Sequence, residues 1–308
     1  MARISSRPSK QFPRSVIFSP GLYTMSTWKH IQIVSGSPNV EFVAPNKFRF
    51  KMPSPYKSGN YDRVSMKSLR LYYSWFNLTQ AKNNNRLSYR WIDNSEHEVV
   101  WKDGIWDFEV FQQYLEQVMM SKGHYLLNDK GSPVYFIQLE ANSVFYRISL
   151  TVRPVPAVMP IGWVPPPGFV TPPRDKTPQL IIPSTKIADY LGLQPGSYPA
   201  TWQSTIFQTN GQLAPQVTDS SSLMLLCNLV SNEYGPDSRA LATFTVTPGT
   251  DPGAMISEVP FYQDWIPVQP CSNFSTILLE LVDQNANPVK LEDPAGFICT
   301  INLDSRPN

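Results

Sequence analysis

The chain has 308 residues, 30 of them proline, with 16% charged, 12% aromatic and a formal net charge of +2. That length buries a large core, either as one big domain with an insertion or as two domains, and the charged fraction lies well below the usual ~25%. No run approaches the ~18 apolar residues of a membrane helix, and the three cysteines (Cys227, Cys271, Cys299) lack the spacing of a zinc site or a disulfide framework. They are expected as buried thiols in a reducing compartment.

Residues 1–38 read as a basic N-terminal arm. Arg3, Arg7, Lys10, Arg14 and Lys29 precede the first acid, Glu41, and Pro8, Pro13 and Pro20 disfavour compact structure. Arg3, Arg7, Lys10 and Arg14 are the candidates for contact with nucleic acid through phosphate neutralisation, or with a neighbouring subunit. The start, MARISSRPSKQF, has no apolar segment of the kind found in signal peptides.

Residues 39–153 form the first structured block. Val40–Lys51 and Val64–Phe76 are predicted strands, the second alternating through Leu69, Leu71, Tyr73 and Trp75. Asn83–Asn85 is a loop, and Leu87–Ile92 with Glu98–Trp101 reads as a hairpin. Phe108, Phe111, Leu115, Val118 and Met119 recur at helical spacing between Asp107, placed as an N-cap, and Gly123, so a helix is predicted over 107–121. Val134–Leu139 and Val144–Val152 return to strand, with Val144, Tyr146, Ile148, Leu150 and Val152 on one face.

Residues 154–221 form a connecting segment. Nine prolines fall within 154–178, which reads as an extended connection because proline lacks the donor a central strand needs. A short helix is expected over 185–191, capped by Ser184 and stopped by Gly192. Residues 222–308 carry strands near 222–230, 240–247, 255–260, 276–282 and 297–303. The last two read as a terminal hairpin, with Leu279, Leu281, Phe297, Cys299, Ile301 and Leu303 in the core and the block at 40–76 as partner. A chain ending on a core strand is expected to close a sandwich. Many strands, two short helices and long connections favour a β-sandwich or jelly roll over an α/β fold.

Catalytic patterns are missing. His30, His97 and His124 have no metal-ligand spacing, and neither nucleophile-elbow nor phosphate-loop motifs occur. Glu96-His97-Glu98 reads as a solvated strand edge. Asp251 with Asp264, or Asp283 with Asp293, could be imagined as a glycosidase pair, but such carboxylates flank turns in many β-proteins. The chain is read as a structural protein, not an enzyme, with no cofactor and no metal. Asn77-Leu-Thr and Asn273-Phe-Ser match the glycosylation sequon and are read as chance.

Three stretches resemble one family. They are YYSWFN at 72–77, followed by the asparagine loop and DGIWDFEVFQQYLEQVM at 103–119; KIADYLGLQPGSYPA at 186–200; and the C-terminal block from LMLLCNLVSNEYG at 223–235, through PGAMISEVP at 252–260, to LELVDQNANPVKL at 279–291. Together they are similar to the penton proteins at the capsid vertices of virophages, Polinton/Maverick elements and adintoviruses. Two departures stand out: Ala286 or Asn287 stands where the family usually has a glycine, and Pro294-Ala295-Gly296 stands where it has an acidic Gly-Glu pair. The resemblance implies a single jelly roll with an inserted domain or extended segment, and a structural role at the pentameric vertex of an icosahedral double-stranded DNA virus or virus-like element. The partners it implies are four further copies in a homopentamer, neighbouring major capsid (hexon-like) subunits, genomic DNA through the arm, and a host receptor. The location it implies is the virion, after synthesis inside the host cell. Two other readings stand beside it: a major or minor capsid protein with a double jelly roll, and a carbohydrate- or receptor-binding sandwich using Trp91, Trp101, Trp106 and Trp163.

Overall fold

The computed structural model describes residues 28–57, 63–217, 220, 222–233, 237–247, 250–269 and 273–304. Four strands come first: β1 (Trp28–Val34), β2 (Val40–Ala44), β3 (Lys47–Lys57) and β4 (Arg63–Tyr72). A long excursion carries β5 (Arg86–Arg90), β6 (Glu96–Val100), α1 (Phe108–Ser121), β7 (Tyr125–Leu127), β8 (Pro133–Tyr135), β9 (Ile137–Asn142), β10 (Arg147–Val152), β11 (Gln179–Ile182), α2 (Lys186–Leu191), β12 (Gly196–Tyr198) and β13 (Phe207–Asn210). The chain then adds β14 (Leu223–Cys227), β15 (Ala240–Phe244), β16 (Met255–Glu258), the short β17 (Ile266–Pro267), β18 (Asn273–Asp283) and β19 (Ile298–Asp304).

Two sheets enclose the main core. One runs β1-β19-β4-β16, with β17 also on β4; the other runs β15-β14-β18-β3-β2. Setting aside the short β2 and β17, eight strands remain. In chain order they are arranged first-eighth-third-sixth in one sheet and fifth-fourth-seventh-second in the other, all antiparallel. This is the strand order of one complete eight-stranded jelly roll. The excursion leaves after β4 and returns before β14, with its own sheets β12-β11-β5-β6 and β13-β10-β9 and a β7-β8 pair. It is not a second jelly roll, so the double jelly-roll alternative is set aside.

Period-two patterning explains the sandwich. In β14, Leu223, Leu225 and Cys227 enter the main core, while Met224 and Leu226 meet Ala240 and Val282 on the outer face. Every residue of this strand is buried for that reason. Leu69, Leu71, Tyr73 and Trp75 all reach the main core, although the strand itself stops at Tyr72. Phe48 from one sheet stacks on Phe297, which leads into β19 of the other, with centroids 3.8 Å apart.

The structure corrects several sequence expectations. The arm is not free to residue 38, because β1 pairs along its whole length with β19. Apolar Ile31 and Ile33, at alternate positions, pull it into the core. Val40–Lys51 is not one strand: Pro45 and Asn46 form a turn, and β2 folds onto β3. The terminal strands are not a hairpin. β18 pairs with β3 and β14, whereas β19 pairs with β1 and β4, so the connector at 284–297 crosses from one sheet to the other. Helix 107–121 lies in the excursion, packing Phe111, Leu115 and Met119 there, rather than in the jelly roll. Val144 and Tyr146 do not share a strand face with Ile148. They sit at the exposed tip of the β9–β10 hairpin, and Tyr146 adopts φ 51°. The second helix is preceded by Thr185, not Ser184, and no side chain caps it, although Gly192 closes it at φ 65° as its sequence position implies.

The proline-rich stretch is not a linker between two halves of the fold. It leaves at Val155 and returns at Lys176 through a two-way backbone bridge, with Val155 N donating to Lys176 O at 2.9 Å and the reverse bond at 3.2 Å. Val164 is pinned to Leu127 in the same manner. These bridges satisfy backbone groups where proline cannot donate, so an extended segment lies as an ordered flap on the excursion.

Candidate functional site

The junction between jelly roll and excursion is built by asparagines. Asn77 is buried and donates through Nδ2 to Trp106 O (2.7 Å) and Val217 O (3.0 Å), while its Oδ1 accepts from Trp106 N (2.9 Å). Asn84 donates to Asn77 O and accepts from Thr79 N, and Asn85 donates to Trp101 O. Asn83 supplies the left-handed step at φ 53°, which asparagine tolerates better than most residues. The network therefore ties the outgoing chain at Asn77 to Trp106 and to the returning chain at Val217, all on the excursion's side. It also removes Asn77 as a glycosylation acceptor, since its amide is enclosed and both its protons are engaged.

A cleft of about 450 Å³ opens at this junction, between Trp75, Asp283 and Lys290 on the jelly-roll side and Lys82, Asp103 and Lys186 on the other. Its acids are already engaged. Asp283 accepts from the backbone N–H of Asn285 and Asn287 in its own turn (2.8 Å each), and Asp103 accepts from Gln80 N. Asp293, the other half of one imagined glycosidase pair, caps Ala295 N at 3.0 Å. These carboxylates hold turns in place. Among the described residues, no cluster of His, Cys, Asp and Glu is arranged to hold a metal ion.

Two of the three histidines, His97 and His124, meet where the sequence expected a solvated edge, while His30 lies on β1. His97 on β6 stacks on Tyr89 and meets His124 edge-on, with centroids 4.8 Å apart. His124 is buried, stacks on Trp91 at 4.2 Å, and its Nδ1 lies 2.8 Å from the Tyr89 hydroxyl. Burial, reinforced by His97, holds His124 well below the usual imidazole range, at about 4. Burial likewise lowers His97, helped by Lys122, and burial together with Asp93 raises Tyr89. A protonated phenol donating to a neutral imidazole is the arrangement these shifts favour. The group is enclosed by Trp91 and Phe136 and serves as part of the excursion's core.

The predicted core residues Leu279, Leu281, Phe297, Cys299, Ile301 and Leu303 are each 0% exposed and belong to one cluster with both sheets. Burial raises the Cys227 thiol to about 12 and pushes Cys299 up as well, so both stay protonated and inert. Arg3, Arg7, Lys10, Arg14 and Cys271 lie outside the described residues. The tryptophans proposed for a carbohydrate platform do not form one: Trp91 and Trp101 are buried, and Trp106 and Trp163 pack against the excursion's core.

Sequence reasoning missed the exposed apolar groups. Phe261 and Tyr262 are 89% and 76% exposed on the β16–β17 loop; Val144, Phe145 and Tyr146 form the β9–β10 tip; Ile161 stands fully exposed on the proline-rich flap. Their shared signal is apolar residues beside proline or glycine, or in a tight turn, with no periodic pattern to give them a partner.

No family model matches the chain, and no curated protein matches it. Solved structures that are similar over most of its length include two from virophages. One is the crystal structure of the mavirus penton protein, with 9% identity and a TM-score of 0.46, covering 90% of this chain and 98% of that one. The other is a chain in the cryo-EM structure of the Sputnik virophage, with 13% identity and a TM-score of 0.40 over the same shares. Both likenesses are distant, so the functional reading rests on the chain's own residues and strand order.

Proposed function

We propose that this chain is a structural capsid protein that forms the pentameric vertex of an icosahedral double-stranded DNA virus or virus-like element. The observation that carries the reading is one complete jelly roll, closed by pairing its first and last strands, that releases a single large folded excursion between β4 and β14. Such a body is rigid where it must pack side by side with copies of itself, and it presents a second unit on one side. The three motif stretches support the same reading. They occupy the junction with α1, α2 with its glycine stop, and β14 to β18, so the resemblance spans both units. In this reading the basic residues Arg3, Arg7, Lys10 and Arg14 reach inward to neighbouring major capsid subunits or to the genome.

Electron microscopy of the purified protein tests this directly. Class averages with fivefold rings are expected. Monomers at high concentration, or twofold particles only, would overturn the vertex reading. Removing residues 1–20 is expected to leave rings intact and to reduce incorporation into particles.

A further inference from the structure

The exposed apolar residues of the jelly roll are not scattered. They lie on its two opposite flanks, and the flanks differ in character.

The first flank is the β16 margin. Both β16 and β17 pair with β4, Glu258 opposite Leu69 and Ile266 opposite Val64, so the loop at 259–265 is held at both ends. Gln263 ties it down further by donating to Ser65 Oγ at 2.8 Å. What remains faces outward: Phe261 and Tyr262, edge to face with centroids 4.7 Å apart, beside Val259, which is 64% exposed. Two large aromatics on a loop fixed at three points form a pre-organised anchor, the residue type that dominates interface energetics. Two acids bracket it along the chain, Glu258 at the end of β16 and Asp264 just before β17.

The second flank is the β2 margin. β2 is the last strand of its sheet, so among the described residues one of its backbone edges has no strand beside it. It exposes Phe42 (45%) and Val43 (42%) at a bulge in its pairing with β3. Arg49 and Lys51 stand beside this edge and reach Glu41. The strand order sets the two margins apart. β1 and β2, joined by a short connection, end the two sheets on one side, while β15 and β16 end them on the other.

We propose that these flanks are the two halves of one head-to-tail contact between copies of this chain, with the Phe261–Tyr262 loop of one copy docking against the Phe42–Val43 edge of the next. An exposed aromatic anchor meets an apolar edge strand, and the acids bracketing the anchor meet the Arg49–Lys51 side. Unlike patches on opposite flanks generate rings or filaments, whereas a self-complementary patch generates closed dimers. The inference rests on the vertex reading above and deepens it by naming the surfaces that close the ring.

The test is light scattering on four samples: wild type, Phe42→Asp, Phe261→Asp, and an equimolar mixture of the two variants. Circular dichroism of each variant checks that the fold is retained. Wild type is expected to form rings and each variant alone to be monomeric. The mixture retains one intact junction, between the Phe261 flank of the Phe42→Asp chain and the Phe42 flank of the Phe261→Asp chain, so it is expected to give dimers and nothing larger. If folded variants keep the wild-type ring mass, the proposed contact is wrong and the vertex reading stands. If either variant alone dimerises, or the mixture gives no dimers, head-to-tail pairing of these flanks is overturned. A wild type that is monomeric at high concentration overturns both.

Discussion

The jelly roll and its excursion solve the problem of a dry interior differently. The jelly-roll core is built chiefly from Leu, Ile and Val on long strands whose partners lie far away in sequence. The excursion's core rests on large rings such as Trp91, Trp101, Phe111 and Tyr190, with His124 buried among them. Its strands are short and its two helices supply much of the apolar surface. Aliphatic alternation gives a core whose side chains need no polar partner. Ring packing fills irregular space between short elements, but it brings in polar handles that must be satisfied. The two units should therefore fail independently and for different reasons.

The largest expected effect is in the excursion. Trp101 is fully buried and stacks on Phe111 at 4.0 Å, so Trp101→Ala should cost about 3–5 kcal/mol. Hydrogen exchange should then rise in β5, β6 and α1 while β18 and β19 stay protected. Uniform loss of protection would show that the two cores form one cooperative unit.

Leu281→Ala is the converse change. The side chain is 0% exposed in the sandwich, and its truncation should cost about 2–5 kcal/mol and deprotect β3, β14 and β18 first. Gln284→Ala, in the adjoining turn, should change stability by less than roughly 0.5 kcal/mol. Equal melting temperatures for the two variants would mean that β18 is peripheral.

Acid should separate the units next. His124 binds its proton near pH 4 in the folded chain but near 6.5 when unfolded. Between those values the unfolded state holds more protons, so the stability from neutral His124 is complete above about pH 6.5 and is lost as pH falls toward 4. The loss should be on the order of 2–3 kcal/mol. His97, shifted the same way, adds to it. The excursion should open before the jelly roll over this window, and His124→Phe should flatten the dependence. Simultaneous acid unfolding of both units in wild type would contradict this account.

The smallest effect concerns the turn after β18. Ala286 adopts φ 62°, a conformation that costs a side chain with a Cβ about 1–2 kcal/mol. Ala286→Gly should raise stability by about 0.5–1 kcal/mol, offset in part by the greater freedom of glycine in the unfolded chain. A lower melting temperature would show that the alanine methyl makes a contact that matters.

Local chemistry made much of this molecule readable from its residues. Helix α1 followed from the three- and four-residue spacing of Phe108, Phe111, Leu115 and Met119, with Asp107 Oδ1 accepting from Val110 N at 2.8 Å as the cap position requires. The inward faces of β4, β18 and β19 followed from alternation, because side chains on a strand point to opposite sides of the sheet whatever it pairs with. Pairing itself was not readable. Apolar run, polar connector and apolar run describe a hairpin and a crossover between facing sheets equally well, so β18 and β19 looked like neighbours although they lie in opposite layers. The same limit hid β1, whose few apolar positions make sense only once β19 and β4 have formed a place for them, and it hid the His97–His124 contact, which joins a strand to the residue following a helix. Burial preference is a property of each residue, but partnership is decided by which surfaces the whole chain brings within a few ångströms, and only the tertiary structure fixes that.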